Sequence, residues 1–599
     1  DSGTWIHPDR HTAFGHRRLS IIGLDTGCQP IVRDGYSIIY NGEIYNYLRL
    51  KSELSTKGYT FETKTDTEVL LQGYREWGSD VLDRVRGMFS FVIWDDDRER
   101  MFLARDPAGQ KPLVYYAEGG EFAAASEIQT LLKQSLVSRK ADPASLSWYL
   151  SMGYVPSART GFFKIKKVPP GHYMTVKDGR IQDQVRYWDP VSLSPKSEPL
   201  SEDRLYDELR SRMNTAVERR LVSDVPVGAF LSGGIDSTLV VGLMQEMKSD
   251  PLKTVCVGFQ EDRYDEREYG KEVADFFQTD HNEFEVDLEL ESVFSDLVRH
   301  FGEPFADSSA VPTYYVSKKA REVVKVVVSG DGGDELFGGY RRYRAMRYLN
   351  SVSNWTPGFL RRFMGGVGRN MDRPEDRRSR SGELQRLLSS VDQTPVQQYM
   401  GMVGLGADDL KARIGIGPLE RPAQRGGDQW LERWFRKFDH VEDPAQQAMN
   451  VDIMSYLPED LLVKVDITTM MNSLECRSPF LDRDLMELAF RIPPELKING
   501  SDHKYCLKKA YDDYIPERVK KRSKQGFGVP LTKWYREGEE AQFLEDRLMS
   551  QNHAFYRMID RYTLETTLEQ HQAGDIDVAP FLWALTMMKG WFDEFDVKL

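Results

Sequence analysis

Val225-Pro226-Val227-Gly228-Ala229-Phe230-Leu231-Ser232-Gly233-Gly234-Ile235-Asp236-Ser237-Thr238-Leu239-Val240-Val241-Gly242-Leu243-Met244 is the stretch that decides the fold. Its apolar opening reads as a buried strand and its apolar close as the start of a helix, with a Ser/Gly loop between them. A strand, a tight loop and a helix start make an anion site. Backbone N–H groups and the helix dipole point at phosphate oxygens, and small residues let the backbone come close. Asp236 inside the loop makes sense beside phosphates if Mg2+ lies between them. The loop is not a Walker A loop, because no Gly-x4-Gly-Lys-Ser/Thr occurs in the chain.

Downstream, strand-like runs at 254–259, 283–286 and 323–329 alternate with helical patterns, one of them over 266–277. Such alternation predicts a doubly wound parallel α/β sheet, whose ligands bind at the C-terminal ends of strands. A second glycine-rich loop, Ser329-Gly330-Asp331-Gly332-Gly333-Asp334-Glu335, lies at such an end. Its three carboxylates repel one another unless a cation neutralises them. Asp236 and Asp334 are therefore expected to share Mg2+. Lys524, in a basic glycine-containing loop, is the candidate cation for the leaving phosphates. From about 340 the pattern is mostly helical.

Upstream, residues 1–190 show strand-like alternation. Runs at 88–94 and 101–104 flank the turn Asp95-Asp96-Asp97 as a hairpin. The run at 36–40 is expected to end in an Asn41-Gly42 turn. A stretch with two prolines and four serines, 191–203, reads as a linker before a second domain over 204–599. The 599 residues carry a net charge of −13, which argues against a general nucleic-acid or acidic-membrane binder. The arginines of 361–380 read as a solvated surface, because Asp and Glu are interleaved. No apolar run is long enough to span a bilayer. Four widely spaced cysteines, Cys28, Cys256, Cys476 and Cys506, form no disulfide or metal pattern and suit a reducing cytoplasm.

Motifs along the whole chain resemble those of glutamine-hydrolysing asparagine synthetases of the large bacterial type. They are GHRRLSII (15–22), YNGEIYN (40–46), TDTEVLL (65–71), GMFSF (87–91), ARDPAGQKPL (104–113), LSGGIDS (231–237), YDER (264–267), VSGDGGDELFGGY (328–340), SLECRSPFLD (473–482) and KQGFGVP (524–530). The resemblance implies an N-terminal glutaminase domain over 1–190, an αββα sandwich of the N-terminal-nucleophile type. It is followed by an ATP-pyrophosphatase domain with a helical C-terminal extension. It further implies that Arg18, with the adjoining Leu19, Ser20, Ile21 and Ile22, holds the glutamine α-carboxylate. Asn41 and Gly42 would form an oxyanion hole, and Glu43 and Asp66 would take the α-ammonium. Guanidinium for one end and carboxylates for the other suit a zwitterion. Leu231, Ser232, Gly233, Gly234, Ser237, Val257, Ser329 and Gly330 match ATP-contacting positions, and Asp331 matches a position tied to acyl-adenylate formation. Glu475 and Arg477 would either shape the substrate or ammonia path or form a buried structural ion pair. Asp466 carries no assigned role.

The implied reaction amidates aspartate, or a related carboxylate, through an acyl-adenylate, with ATP and Mg2+ and with ammonia from glutamine. A same-architecture amidotransferase acting on a sugar acid, peptide or natural-product intermediate is the alternative. A ring-closing ligase and a non-catalytic nucleotide-binding protein fit less well, since Arg18, Asn41, Glu43, Asp66, Asp236 and Asp334 are all in place. The family's glutaminase nucleophile is an N-terminal Cys whose free α-amine acts as base. It would precede Arg18 by more than the 17 positions present here. Internal Cys28 has no α-amine, so the chain as it stands is expected to lack glutamine turnover. Homodimers are common among such enzymes, though no residue here defines an interface.

Overall fold

The computed structural model describes residues 1–8, 12–193, 201–259, 265–371, 380–424, 428–522 and 528–599. The alternating N-terminal half forms strands β1 (Ser2–Ile6), β2 (Ala13–Arg17), β3 (Ile31–Arg33), β4 (Tyr36–Ile44), β5 (Gly87–Asp95), β6 (Arg100–Arg105), β7 (Val114–Glu118), β8 (Glu121–Ala125), β9 (Ile165–Lys167), β10 (His172–Lys177) and β11 (Arg180–Arg186). Six of them make one antiparallel sheet in the order β11-β10-β6-β5-β4-β3. The two-residue period of β5 decides which side chain goes where. Val92 and Trp94 pack with Phe14, Leu113, Tyr115 and Met174, between the large sheet and a layer made by the β1–β2 hairpin and the sheet β8-β7-β9. Phe89, Phe91 and Ile93 point the other way, onto the helices Tyr47–Thr56 and Asp66–Trp77. On the far side of the small sheet the short helix Ile128–Leu131 packs against β7 and β8, and Leu146 and Tyr149 of the helix Pro143–Met152 belong to the same apolar cluster as Val114 and Tyr116 of β7. The result is a helix–sheet–sheet–helix sandwich.

One local expectation fails. Asn41-Gly42 does not turn the chain but continues β4, with Asn41 opposite Ser90 and Gly42 opposite Phe89. Gly42 is needed for close approach. Its φ is +140°, and a Cβ there would lie 2.0 Å from the Met88 carbonyl oxygen. Pairing along all nine residues of β4 outweighs the turn preference of the dipeptide.

The second half contains β12 (Val227–Phe230), β13 (Lys253–Phe259), β14 (Asp280–Val286), β15 (Val326–Val328) and β16 (Glu475–Arg477), all parallel in the order β14-β13-β12-β15-β16. The chain winds outward from β12 to β14, then returns to the other side of β12. The crevice between β12 and β15 is therefore the topological switch point, where such sheets bind ligands. Both faces are covered: Val326 and Val328 pack to one side and Val327 to the other. A helical region follows, and its last helix, Ala579–Glu594, buries Trp583, Trp591 and Phe592.

The sandwich keeps a core of its own between its two sheets, but outside that core the two halves share their apolar packing. Ile21, Tyr74 and Phe91 from the sandwich share one apolar cluster with Leu205, Leu239, Val328 and Phe480. Tyr149 of the sandwich donates to the Ala584 carbonyl at 2.8 Å.

Candidate functional site

The β12 and β15 loops meet at the switch point. After Leu231, which is buried, the chain turns through Ser232 and Gly233 into the helix Ile235–Glu246, whose N-cap is Gly234. Gly233 sits at φ +64°, and a Cβ there would lie 2.4 Å from Tyr269 Cβ. Ser232 Oγ and Ser237 Oγ lie 3.1 Å apart, so two hydroxyls and the first N–H groups of the helix share one small space. On the neighbouring strand, Ser329 N donates to the Arg477 carbonyl at 2.8 Å, and Ser329 Oγ donates to Asp331 Oδ2 at 2.6 Å. Glycine lets the loops touch: a Cβ on Gly330 would be 2.7 Å from Asp236 Cβ, and one on Gly333 would be 2.6 Å from Asp236 Cγ. Val257 lies in β13, beside β12.

Asp236 and Asp334, expected to share Mg2+, also share an ammonium from the protein. Lys504 Nζ contacts Asp236 Oδ2 and lies 2.6 Å from Asp334 Oδ1. Lys504 is buried at φ +55°, just before the helix Tyr505–Ala510. Nothing local in Asp502-His503-Lys504 marks it, because the turn that carries it is set by tertiary contacts. Lys524, the residue chosen from sequence, lies outside the described residues. The site still suits a divalent cation that keeps phosphate ligands. Asp236 Oδ1 is buried and accepts no hydrogen bond. Two carboxylates and no third protein ligand match how Mg2+ is held on substrate phosphates, and no group of three or more His, Cys, Asp or Glu poised for a metal occurs among the described residues.

Behind Asp331 lies a buried polar cluster. Lys464 Nζ is 2.7 Å from both Asp307 Oδ2 and Ser309 Oγ, and its charge is kept by Asp307, Asp460 and Asp331 against the cost of burial. Lys111 Nζ contacts Asp466 Oδ1 at 2.8 Å, which ties the ARDPAGQKPL loop to the helix Leu462–Met471.

The second cluster lies on β4 and the helix Asp66–Trp77. Asp66 accepts from Tyr40 Oη at 2.8 Å and Ile44 N at 2.9 Å. Glu43 is buried, and its Oε2 has no hydrogen-bond partner. Burial, with the neighbouring Asp66 and Glu475, pushes the Glu43 carboxyl well up; Arg477 and Arg18 pull it down. Burial also raises Asp66 against its hydrogen bonds and Arg18. Arg18 faces both acids, but its guanidinium folds back on its own loop, donating to the Ile22 carbonyl and lying 3.3 Å from Asp1 Oδ2. Ser20 Oγ is 3.4 Å from Arg18 Nη1, Ile21 and Ile22 are buried, and Leu19 is half-buried against the same core. Cys28 is exposed, with its Sγ 3.9 Å from the Ser2 carbonyl.

Arg477 joins the two clusters. Its guanidinium is fully buried, bonded at 2.8 Å to Glu475 Oε1 and 3.7 Å from Glu43 Oε1. It also donates to the carbonyls of Arg220 and Val222. Its own carbonyl receives Ser329 N. One residue thus touches the acid of the second cluster and the loop of the first.

Comparison with known proteins agrees with this layout. Residues 1–188 match the glutamine amidotransferase domain model, and residues 208–593 match the asparagine synthase model. Over 601 residues the chain is 35% identical to asparagine synthetase [glutamine-hydrolyzing] 1 of Bacillus subtilis, covering 99% of this chain and 91% of that protein. It is 34% identical over 613 residues to a putative asparagine synthetase [glutamine-hydrolyzing] of Mycobacterium bovis, again covering 99% and 91%.

Proposed function

The chain belongs to the glutamine-hydrolysing asparagine synthetase family, and from that premise we propose that it converts aspartate to asparagine with ATP, through a β-aspartyl-AMP intermediate and with nitrogen from glutamine. The single observation that carries this reading is the meeting of two glycine-rich loops at the switch point, with Lys504 between Asp236 and Asp334. The β-phosphoryl and γ-phosphoryl groups of ATP would lie on the N–H groups after Gly234 and on the hydroxyls of Ser232 and Ser237. The β-carboxylate of aspartate attacks the α-phosphorus, and the P–O bond to pyrophosphate breaks. Lys504 turns from the carboxylates to the leaving pyrophosphate and carries its charge, the work sequence reasoning gave to Lys524. Asp236 and Asp334 would hold Mg2+, which when bound neutralises the phosphate charge that repels a carboxylate nucleophile.

Asp331, Lys464, Asp307 and Ser309 face the acyl side. They offer both signs of charge to a substrate that is itself a zwitterion carrying a second carboxylate. In the other cluster, Glu43 and Asp66 take the glutamine α-ammonium and Arg18 its α-carboxylate, with Asn41 and Gly42 N–H groups toward the amide oxygen. Ammonia then passes along β16, where Arg477 separates the sites by one residue. Burial on that path keeps water from the adenylate. We place the reaction in a reducing compartment, which four free cysteines suit.

The test is pyrophosphate release with ATP, Mg2+ and aspartate, with ammonium as the nitrogen donor. Aspartate-dependent pyrophosphate and asparagine are expected. Pyrophosphate that needs a different carboxylate would sink the choice of substrate.

A further inference from the structure

The helix Gly358–Asn370 and its partner Arg380–Ser390 pack inside out. The buried residues of the first helix are Gly365 and Gly368. A Cβ on Gly368 would lie 2.4 Å from Ser389 N, and one on Gly365 would lie 2.4 Å from Asp392 Oδ1, so the backbone itself makes the contact. The large apolar side chains are on the outside. Phe359 (74% exposed), Phe363 (67%) and Val367 recur at a spacing of four, which makes a stripe. Trp355, the last residue of the preceding helix Arg341–Trp355, is 89% exposed, and Tyr348 on that helix is 58% exposed. At about 200 Å2 per aromatic side chain, these rings bare on the order of 600 Å2, the upper end of what a monomer leaves uncovered.

Charge says what would cover this face. Residues 341–371 contain seven arginines and no Asp, Glu or Lys, in a chain whose net charge is −13. The acids that made this region look like ordinary surface begin only at Asp372. Arg342, Arg347 and Arg369 are neutralised by Asp452, Asp443 and Asp392. Arg344, Arg361 and Arg362 have no carboxylate partner among the described residues. A second copy meeting this face across a two-fold axis would bring arginine against arginine. A projecting Trp beside Phe and Arg is instead the composition of helices that lie in a membrane interface.

We infer that this hairpin docks the protein on an anionic lipid surface, with Trp355, Phe359 and Phe363 at the acyl boundary and Arg344, Arg361 and Arg362 at the headgroups. Such docking is peripheral: no helix among the described residues is long and apolar enough to cross a membrane.

The experiment is co-sedimentation of the full chain with extruded vesicles, either phosphatidylcholine alone or equal parts phosphatidylcholine and phosphatidylglycerol. Pelleting is expected with the mixed vesicles at low salt and not with phosphatidylcholine alone, with loss at high salt. F359S/F363S and R361E/R362E should each weaken partitioning by roughly tenfold or more. Both should keep ammonium-dependent pyrophosphate release, which shows that they fold. No pelleting of the unaltered chain with mixed vesicles would overturn the inference, as would pelleting that neither variant weakens. A light-scattering mass that falls from dimer to monomer in F359S/F363S would also overturn it, since a second copy would then be the occupant.

Discussion

Lys504 is a buried ammonium in a backbone conformation that non-glycine residues seldom adopt, held between two carboxylates. Lys504→Met should lower aspartate-dependent pyrophosphate release by about 10²–10³-fold, the usual cost of one preorganised charge at a developing anion. It should also destabilise the free protein by about 3 kcal/mol, because Asp236 and Asp334 then face each other unpaired. Adding Asp236→Asn should restore the melting temperature without restoring activity; thermal melts beside an assay of pyrophosphate separate the two effects. Lys497 has the opposite logic. Burial pushes its ammonium down to about 7. The unfolded chain holds that proton up to about pH 10.4. Between these values the unfolded state binds more protons, so stability climbs as pH rises from about 7 toward 10. Lys497→Met should remove this climb and raise the melting temperature most below pH 7. A wild-type melting curve flat over that window, once other groups are controlled by the variant, would contradict the assignment. The placement of the candidate residues was partly legible in the sequence. Asp236, Ser237 and Asp331 could be read from loop composition, whereas Lys504 could not, because its place depends on a turn nearly 270 positions from its partner.

At the scale of elements, β4 and β16 carry the most consequence. In β4, Gly42→Ala puts a Cβ against the Met88 carbonyl. We expect a loss of about 3 kcal/mol or more and weaker glutamine binding, read by urea unfolding and by isothermal titration. In β16, Arg477→Met leaves Glu43 and Glu475 buried without their cation. A cost of about 3–5 kcal/mol is expected, and Arg477→Lys should not rescue it, since one ammonium cannot reach two carboxylates and two carbonyls at once. Element by element, long periodic runs were read well. The strand at 254–259, the hairpin around Asp95–Asp97 and both glycine-rich loops stand where the apolar pattern put them. Asn41-Gly42 was misread because a local turn signal was weighed without the strand partner that overrides it. Short β16 had no readable signal, since three residues with charge at both ends do not look like a strand.

At the scale of the whole molecule, the sandwich and the parallel sheet share one apolar cluster. Thermal unfolding should therefore give one calorimetric transition, and residues 1–188 expressed alone should not fold; two separated transitions would show that the cores are independent. Composition shift and motif order made two halves visible, but they could not reveal this sharing, because burial between distant segments has no local pattern. The shared residue Arg477 also constrains how such a protein evolves. Its carbonyl receives Ser329 N in the loop proposed for ATP, and its guanidinium faces Glu43 in the cluster proposed for glutamine. A lineage drifting toward free ammonia, or toward glutaminase activity alone, finds no neutral step at this strand: a change that relaxes one catalyst damages its neighbour. Divergence would have to begin in the loops, with β16 the last element free to change.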